Sequence, residues 1–221
     1  MKKPDSHLVH TDKTRALKKY EADPAGFNKA GSGMEVISPF GPMIAKFRVP
    51  DPLVQIINRY ADGIVSSDTG SEFILPEDVV DDGTTSDLRT IVSAFINQYL
   101  AVVENTGYEA IEFEVFWIVS QYCSTASPVH FHSGDISGVL FLKVPEVEED
   151  EEIKTYISGR QAGYLNFLIG GKQRFSRSLV SFKPHPGDFY IFPGWLLHGA
   201  EPFLGKGERR SLSFNASIKP G

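Results

Sequence analysis

The spacing of hydrophobic residues changes near Tyr108, and the change divides the chain. Beyond it, Ile111, Phe113, Val115 and Trp117 alternate with Glu112, Glu114 and Phe116, the period of a half-buried strand. Short apolar runs follow at 129–131, 137–144, 164–169, 179–182, 188–192, 196–200 and 209–218. Ser133-Gly134-Asp135, Gly170-Gly171 and Pro186-Gly187-Asp188 supply turns between them. About eight short strands at this spacing predict a mainly β fold, a jelly roll or sandwich with its core over about 108–218.

Before Tyr108 the period is helical in two places. Asp51 followed by Pro52 reads as an N-cap with proline at the first helical position, and Leu53, Ile56, Ile57 and Tyr60 share one face. A second helix is expected from near Ser86 to before Gly107, on Leu88, Ile91, Val92, Phe95, Tyr99 and Val102 or Val103. Both are expected to brace the β core from outside. Asp81-Asp82-Gly83 reads as a loop between them, and Met34 to Val49 as extended chain. Residues 1–33 are polar, without an apolar period, and read as a flexible N-terminal arm, leaving 34–221 as one domain. The acidic stretch Glu146 to Glu152 reads as a solvated loop.

Composition narrows the function. With 41% apolar residues in 221, the chain can bury the core of one domain, and its 20 glycines, 14 prolines and 16 phenylalanines favour strands and turns over a helical bundle. A net charge of −6 argues against a nucleic-acid partner. Cys123 is the single cysteine, which excludes an intrachain disulfide and a cysteine-only metal site. Lys2 and Lys3 have no apolar run behind them, and no stretch approaches the roughly 20 apolar residues of a membrane span, so a soluble cytoplasmic protein is expected.

The candidate chemistry lies in three runs. In Val129-His130-Phe131-His132, residues i and i+2 of a strand point to one face, so His130 and His132 can aim two imidazoles at one metal ion. The run Gly187-Asp188-Phe189-Tyr190-Ile191-Phe192-Pro193-Gly194-Trp195-Leu196-Leu197-His198 reads as turn, buried strand, break and second strand. In a jelly roll that strand can bring His198 to face the pair, since a metal site draws ligands from separate rigid elements. In Arg209-Arg210-Ser211-Leu212-Ser213-Phe214-Asn215, the residues Arg209, Ser211, Ser213 and Asn215 fall on one face. An arginine with a serine two residues on can grip a carboxylate, and a buried arginine needs such an anion.

Taken in this order and spacing, the three runs resemble the iron(II)- and 2-oxoglutarate-dependent oxygenase superfamily, in particular its phage and bacterial branch, over roughly residues 115 to 217. The resemblance implies a double-stranded β-helix, prolyl-hydroxylase-like, with Fe(II), 2-oxoglutarate and O2 as cofactor and co-substrates. It implies hydroxylation of a C–H bond in a small-molecule or peptide substrate. His130 and His198 match the family's two histidine ligands, and Arg209 with Ser211 its clamp on the distal carboxylate of 2-oxoglutarate.

The chain departs from the pattern at two positions. His132 stands where the family has a carboxylate, so either three histidines hold the metal or Asp135 on the following turn serves as the carboxylate; i+2 geometry favours His132. Phe141 stands where related hydroxylases often place a tyrosine, leaving Ser120, Tyr122 and Tyr164 as candidate replacements for its hydroxyl. Two alternatives accompany this reading. One is a cupin-type metalloenzyme that does not use 2-oxoglutarate, although Ser124 stands where the first cupin motif has glycine. The other is a non-catalytic jelly-roll binding or structural protein.

Overall fold

A computed structural model describes residues 9–10, 34–37, 41–65, 71–81, 87–103, 108–125, 127–147, 162–170 and 178–221. In chain order its elements are β1 (Val9–His10), β2 (Glu35–Ile37), β3 (Ile44–Arg48), α1 (Asp51–Ile64), β4 (Ser71–Ile74), α2 (Glu77–Val80) and α3 (Leu88–Val103). There follow β5 (Tyr108–Gln121), β6 (Ser127–His130), β7 (Ile136–Lys143), β8 (Glu146–Val147), β9 (Leu165–Leu168), β10 (Leu179–Phe182), β11 (Asp188–Pro193), β12 (Leu197–Ala200), β13 (Gly205–Lys206) and β14 (Arg209–Pro220).

Two antiparallel sheets make the jelly roll. The larger runs β1-β5-β14-β7-β11-β3-β2, with β4 added alongside β5, and the smaller runs β10-β9-β12-β6. Strands distant in sequence are thereby neighbours, as the jelly-roll reading requires. Strand β11 shows why its sequence is an unbroken apolar run. Phe189 and Ile191 pack on the helix side, while Tyr190 and Phe192 fill the space between the sheets, so both faces are buried.

Strand β14 alternates as its sequence suggests. Leu212 and Phe214 enter the helix-side core, and Arg209, Ser211 and Ser213 face a cavity between the sheets. Arg210 is buried on the helix side, where its guanidinium donates to Glu208 and to Asp62 of α1. Gly138 of β7 lies under the Phe214 ring, where an added Cβ would meet Cε1 at 2.2 Å.

The helices brace the outer face of the large sheet. In α1, Asp51 is the first helical residue and Pro50 the cap, one position earlier than the cap predicted at Asp51. Of the predicted face, Ile57 is buried and Leu53 and Tyr60 pack partly buried against the core; Val54 and Ala61 are buried beside them, and Ile56 is 55% exposed. In α3 the Asp87 carboxylate accepts the Thr90 N–H at 2.6 Å, which caps the helix at the expected place.

Other expectations need revision. The pairing of β5 with β14 shifts between Asn215 and Ala216: Asn215 opposes Val115 and Ala216 opposes Phe113, so Glu114 is an extra residue, a β-bulge. The bulge ends the simple alternation from Ile111 to Trp117. Ile111 and Phe113 pack with the helix-side core; past the bulge Phe116 and Ile118 do so, and Trp117, Val119 and Gln121 turn to the cavity. Glu146 and Val147, expected in a loop, pair with Lys206 and Gly205. The polar arm of 1–33 lies outside the described residues apart from Val9 and His10, which pair with Ile111 and Ala110. The rest of the acidic stretch, 148–152, and the Asp82-Gly83 turn also lie outside them. Among the described residues no helix is long and apolar enough to cross a membrane.

Candidate metal centre and co-substrate cavity

The three histidines come together at one end of a cavity of about 400 Å³. Strand β12 pairs with β6 so that His198 lies directly opposite His130. Strand β6 ends at His130, so His132 is delivered by the loop beyond it and not by i+2 alternation within one strand. That loop is fixed by two backbone bonds: the His132 N–H donates to the Gly194 carbonyl and the Gly194 N–H to the Asp135 carbonyl, each at 2.9 Å. Gly194 must be glycine for this approach, because a Cβ there would sit 2.0 Å from the Gly134 carbonyl oxygen.

One potential ligand atom from each histidine lies within 4.8 Å of the others. The rings of His130 and His198 are 4.5 Å apart, and the His132 ring is 4.9 and 5.1 Å from them. Each of the first two is oriented by the backbone two residues before it. His130 Nδ1 contacts the Pro128 carbonyl at 2.7 Å and His198 Nδ1 the Leu196 carbonyl at 2.8 Å. A carbonyl oxygen only accepts, so each Nδ1 donates, and in the neutral ring each Nε2 keeps its lone pair for a metal.

Burial lowers the His198 pKa to about 4, against the opposing pull of the Leu196 carbonyl. Burial also lowers that of His132, aided by neighbouring His130 and opposed by Glu114. Both imidazoles are therefore neutral near pH 7, the form that ligates. The His132 ring meets Trp117 edge-on at 5.6 Å, and Phe192 lies against His198 at 4.7 Å. The three histidines form a three-nitrogen donor set suited to a divalent first-row metal.

Asp135 lies apart from this cluster. Its Oδ2 accepts the Ile218 N–H at 2.7 Å, which ties the turn after His132 to β14.

Arg209 lies on the wall of the same cavity, 2% exposed. Its Nε and Nη2 donate to Gln121 Oε1 at 2.9 and 2.6 Å, and its Nη1 donates to the Glu201 carbonyl at 2.7 Å. Those bonds use three of the five N–H groups of a guanidinium. Among the described residues no carboxylate forms an ion pair with Arg209, and burial lowers its pKa to about 10, with Glu201 opposing the shift. A buried cation with spare donors beside a cavity fits an incoming carboxylate. Ser211 and Ser213 line the wall next to it.

Of the sequence candidates for a further hydroxyl, Ser120, Tyr122 and Tyr164 are absent from the cavity wall, and Ser120 donates instead to Glu208 at 2.7 Å. Phe141 does line it. Gln121, which holds Arg209 in place, was missed by sequence reasoning. The available signal was its spacing of two and four residues from Val119 and Trp117.

A family model described as "Putative 2OG-Fe(II) oxygenase" matches residues 115–215, the stretch that contains all three histidines, Arg209 and Ser211. No curated protein matches the chain in sequence. Among solved structures the fold is similar to a prolyl-4-hydroxylase of Pseudomonas putida, with TM-score 0.50 and 16% identity, covering 93% of this chain and all of that one (100%). It is similar to the viral collagen prolyl hydroxylase of Paramecium Bursaria Chlorella virus-1 in its 2OG complex, with TM-score 0.50 and 14% identity, over 87% of this chain and 98% of that one. HygX of Streptomyces hygroscopicus, with nickel and 2-oxoglutarate bound, gives a TM-score of 0.51 at 10% identity, over 92% of this chain and 86% of the other. At these identities the structural likenesses speak for the jelly roll, and the sequence match speaks for the chemistry. Over residues 115–215 the chain is thus similar in sequence to the 2OG-Fe(II) oxygenases, a family whose cofactor is iron(II) and whose co-substrates are 2-oxoglutarate and dioxygen.

Proposed function

We propose that the protein is a hydroxylase in which His130, His132 and His198 hold iron(II), while Arg209 and Ser211 hold the distal carboxylate of 2-oxoglutarate. The observation that carries this reading is one cavity with two complementary groups on its wall. Three imidazoles converge there, two of them with Nδ1 engaged by carbonyls, and a buried guanidinium without an anionic partner among the described residues lines the same cavity. Iron(II), with 2-oxoglutarate as electron donor and dioxygen as oxidant, would supply the oxidising power for attack on an unactivated C–H bond.

The chain's own residues do the rest. The carbonyls of Pro128 and Leu196 hold a proton on Nδ1 of His130 and His198, which in the neutral ring leaves Nε2 as the atom for the metal. Gln121 and the Glu201 carbonyl hold the guanidinium in one orientation, so that it meets a carboxylate without first being ordered. Phe141, Phe192, Val139 and Leu165 give the cavity an apolar lining that excludes water from the reacting atoms. The structural neighbours named as prolyl hydroxylases support hydroxylation as the outcome. A cupin-type enzyme working without 2-oxoglutarate would leave Arg209 with no task.

The test is an anaerobic titration of metal-free protein with iron(II) and then 2-oxoglutarate, following the visible metal-to-ligand charge-transfer absorption. A band that needs both additions, is lost in His132→Ala and is weakened in Arg209→Ala is the expected result. Metal binding without any band on adding 2-oxoglutarate would refute the proposal.

A further inference from the structure

The hydroxylase reading leaves one charged residue of the cavity unused. Glu72 lies on β4, an edge strand that pairs only with β5 among the described strands. Glu72 opposes Val119 and Ile74 opposes Trp117, so Glu72 shares the face that Trp117, Val119 and Gln121 turn to the cavity. Trp117 is its diagonal cross-strand neighbour, a spacing that long and aromatic side chains bridge.

Glu72 is the one carboxylate among the described residues lining this cavity. It makes no ion pair or side-chain hydrogen bond with any described residue. Arg209 opposes Gln121 from β14, on the other side of β5, and the two charges do not pair. The cavity thus carries a cation on one flank and an anion on the opposite flank, each unneutralised by a described residue.

The co-substrate answers the first charge and leaves the second. A substrate filling the space next to His132 and Trp117 displaces water from Glu72, and a desolvated carboxylate is costly unless the incoming group is itself cationic. An indole face beside the carboxylate adds cation–π attraction for the same kind of group. We infer that the primary substrate carries an alkylammonium or guanidinium group, paired by Glu72 and covered by Trp117, so that Glu72 sets substrate choice; the inference rests on the oxygenase reading above.

The experiment holds the full-length protein with iron(II) and 2-oxoglutarate under argon. Isothermal titration then compares the N-acetyl methylamides of lysine and arginine with their neutral counterparts, norleucine and citrulline. Each cationic probe is expected to bind at least about tenfold more tightly than its neutral partner. Glu72→Gln should erase that difference and Glu72→Asp retain part of it, and added salt should weaken the cationic probes alone.

The wild-type charge-transfer band, recorded in the same samples, separates two kinds of failure. Its absence overturns the oxygenase reading and this inference together. A normal band with equal binding of charged and neutral probes, with a preference that survives Glu72→Gln, or with no probe binding at all, overturns the cationic substrate alone.

Discussion

Replacing Gly194 with alanine tests whether the close approach of two glycines holds His132 in the proposed metal site. The new Cβ would stand 2.0 Å from the Gly134 carbonyl oxygen and 2.9 Å from its carbon, both backbone atoms that cannot swing aside. Ordinary contact is about 3.5 Å, so the two loops must part by more than ~1 Å. The movement acts directly on the bonds joining Gly194 to His132 and Asp135. Overpacking of this kind costs about 1–3 kcal/mol, and each weakened hydrogen bond adds about 1. For a domain of this size the melting temperature should fall by roughly 2–4 °C for each kcal/mol lost. Metal affinity should fall by roughly 10- to 100-fold, the usual loss when a ligand's support is removed. The assay pairs thermal unfolding of the metal-free protein with titration of a divalent metal. Gly63→Ala serves as control, because its Cβ would meet nothing within 4 Å and alanine favours a helix. Wild-type metal affinity and melting temperature in Gly194→Ala would show that the glycine contact does not position His132.

Three other outcomes are expected. Arg209→Met should weaken 2-oxoglutarate binding roughly 10- to 100-fold while leaving metal affinity near wild type, as read by separate metal and co-substrate titrations; equal loss of both would contradict the division of roles. Ser137→Ala deprives the buried Asn215 Oδ1 of the hydroxyl that donates to it at 2.7 Å, and should cost about 1–3 kcal/mol in denaturant unfolding. Hydrogen bonds from Arg210 and then Lys143 hold the Asp62 carboxyl below its ordinary value, so its stabilising effect is present at neutral pH and disappears as pH falls through the lowered value. Asp62 is half exposed, so Asp62→Asn should destabilise by less than about 1 kcal/mol at pH 7, and the gap between the two proteins should close in acid.

The β architecture was legible because its strongest strands advertise themselves. The fully apolar run of β11 and the alternation in β14 admit few other placements, and turns such as Pro186-Gly187 bound them. The candidate site was legible where a strand supplies the residues, as with the placement of His130, His198 and the Arg209 face around one cavity. It was less so where a loop does. His132 was named for the right neighbourhood by an argument that assumed a strand reaching it, whereas β6 stops at His130 and Gly194 does the aiming. Glu72 escaped notice because it reaches the cavity from an edge strand, which leaves no local pattern, and Gln121 because its spacing from Trp117 and Val119 gains meaning only once the bulge sets which face turns to the cavity. In α1 two overlapping apolar stripes compete, and packing against the sheet selected Val54, Ile57 and Ala61.

The bulge at Glu114 gives β5 one position where its length can change without exchanging its faces. Glu114 is solvent-exposed, and its carboxylate accepts a hydrogen bond from Ser217. Without it, Phe113 and Val115 become consecutive and still oppose Ala216 and Asn215, so the ladder closes into regular pairing with Trp117, Val119 and Gln121 still turned to the cavity. A residue removed between Phe116 and Gln121 has no such slack: the strand beyond the cut moves one step against β14 and turns its cavity side chains toward the helices. The count of residues from Phe116 to Arg209's partner Gln121 is therefore a stricter requirement on this protein than the count across the bulge.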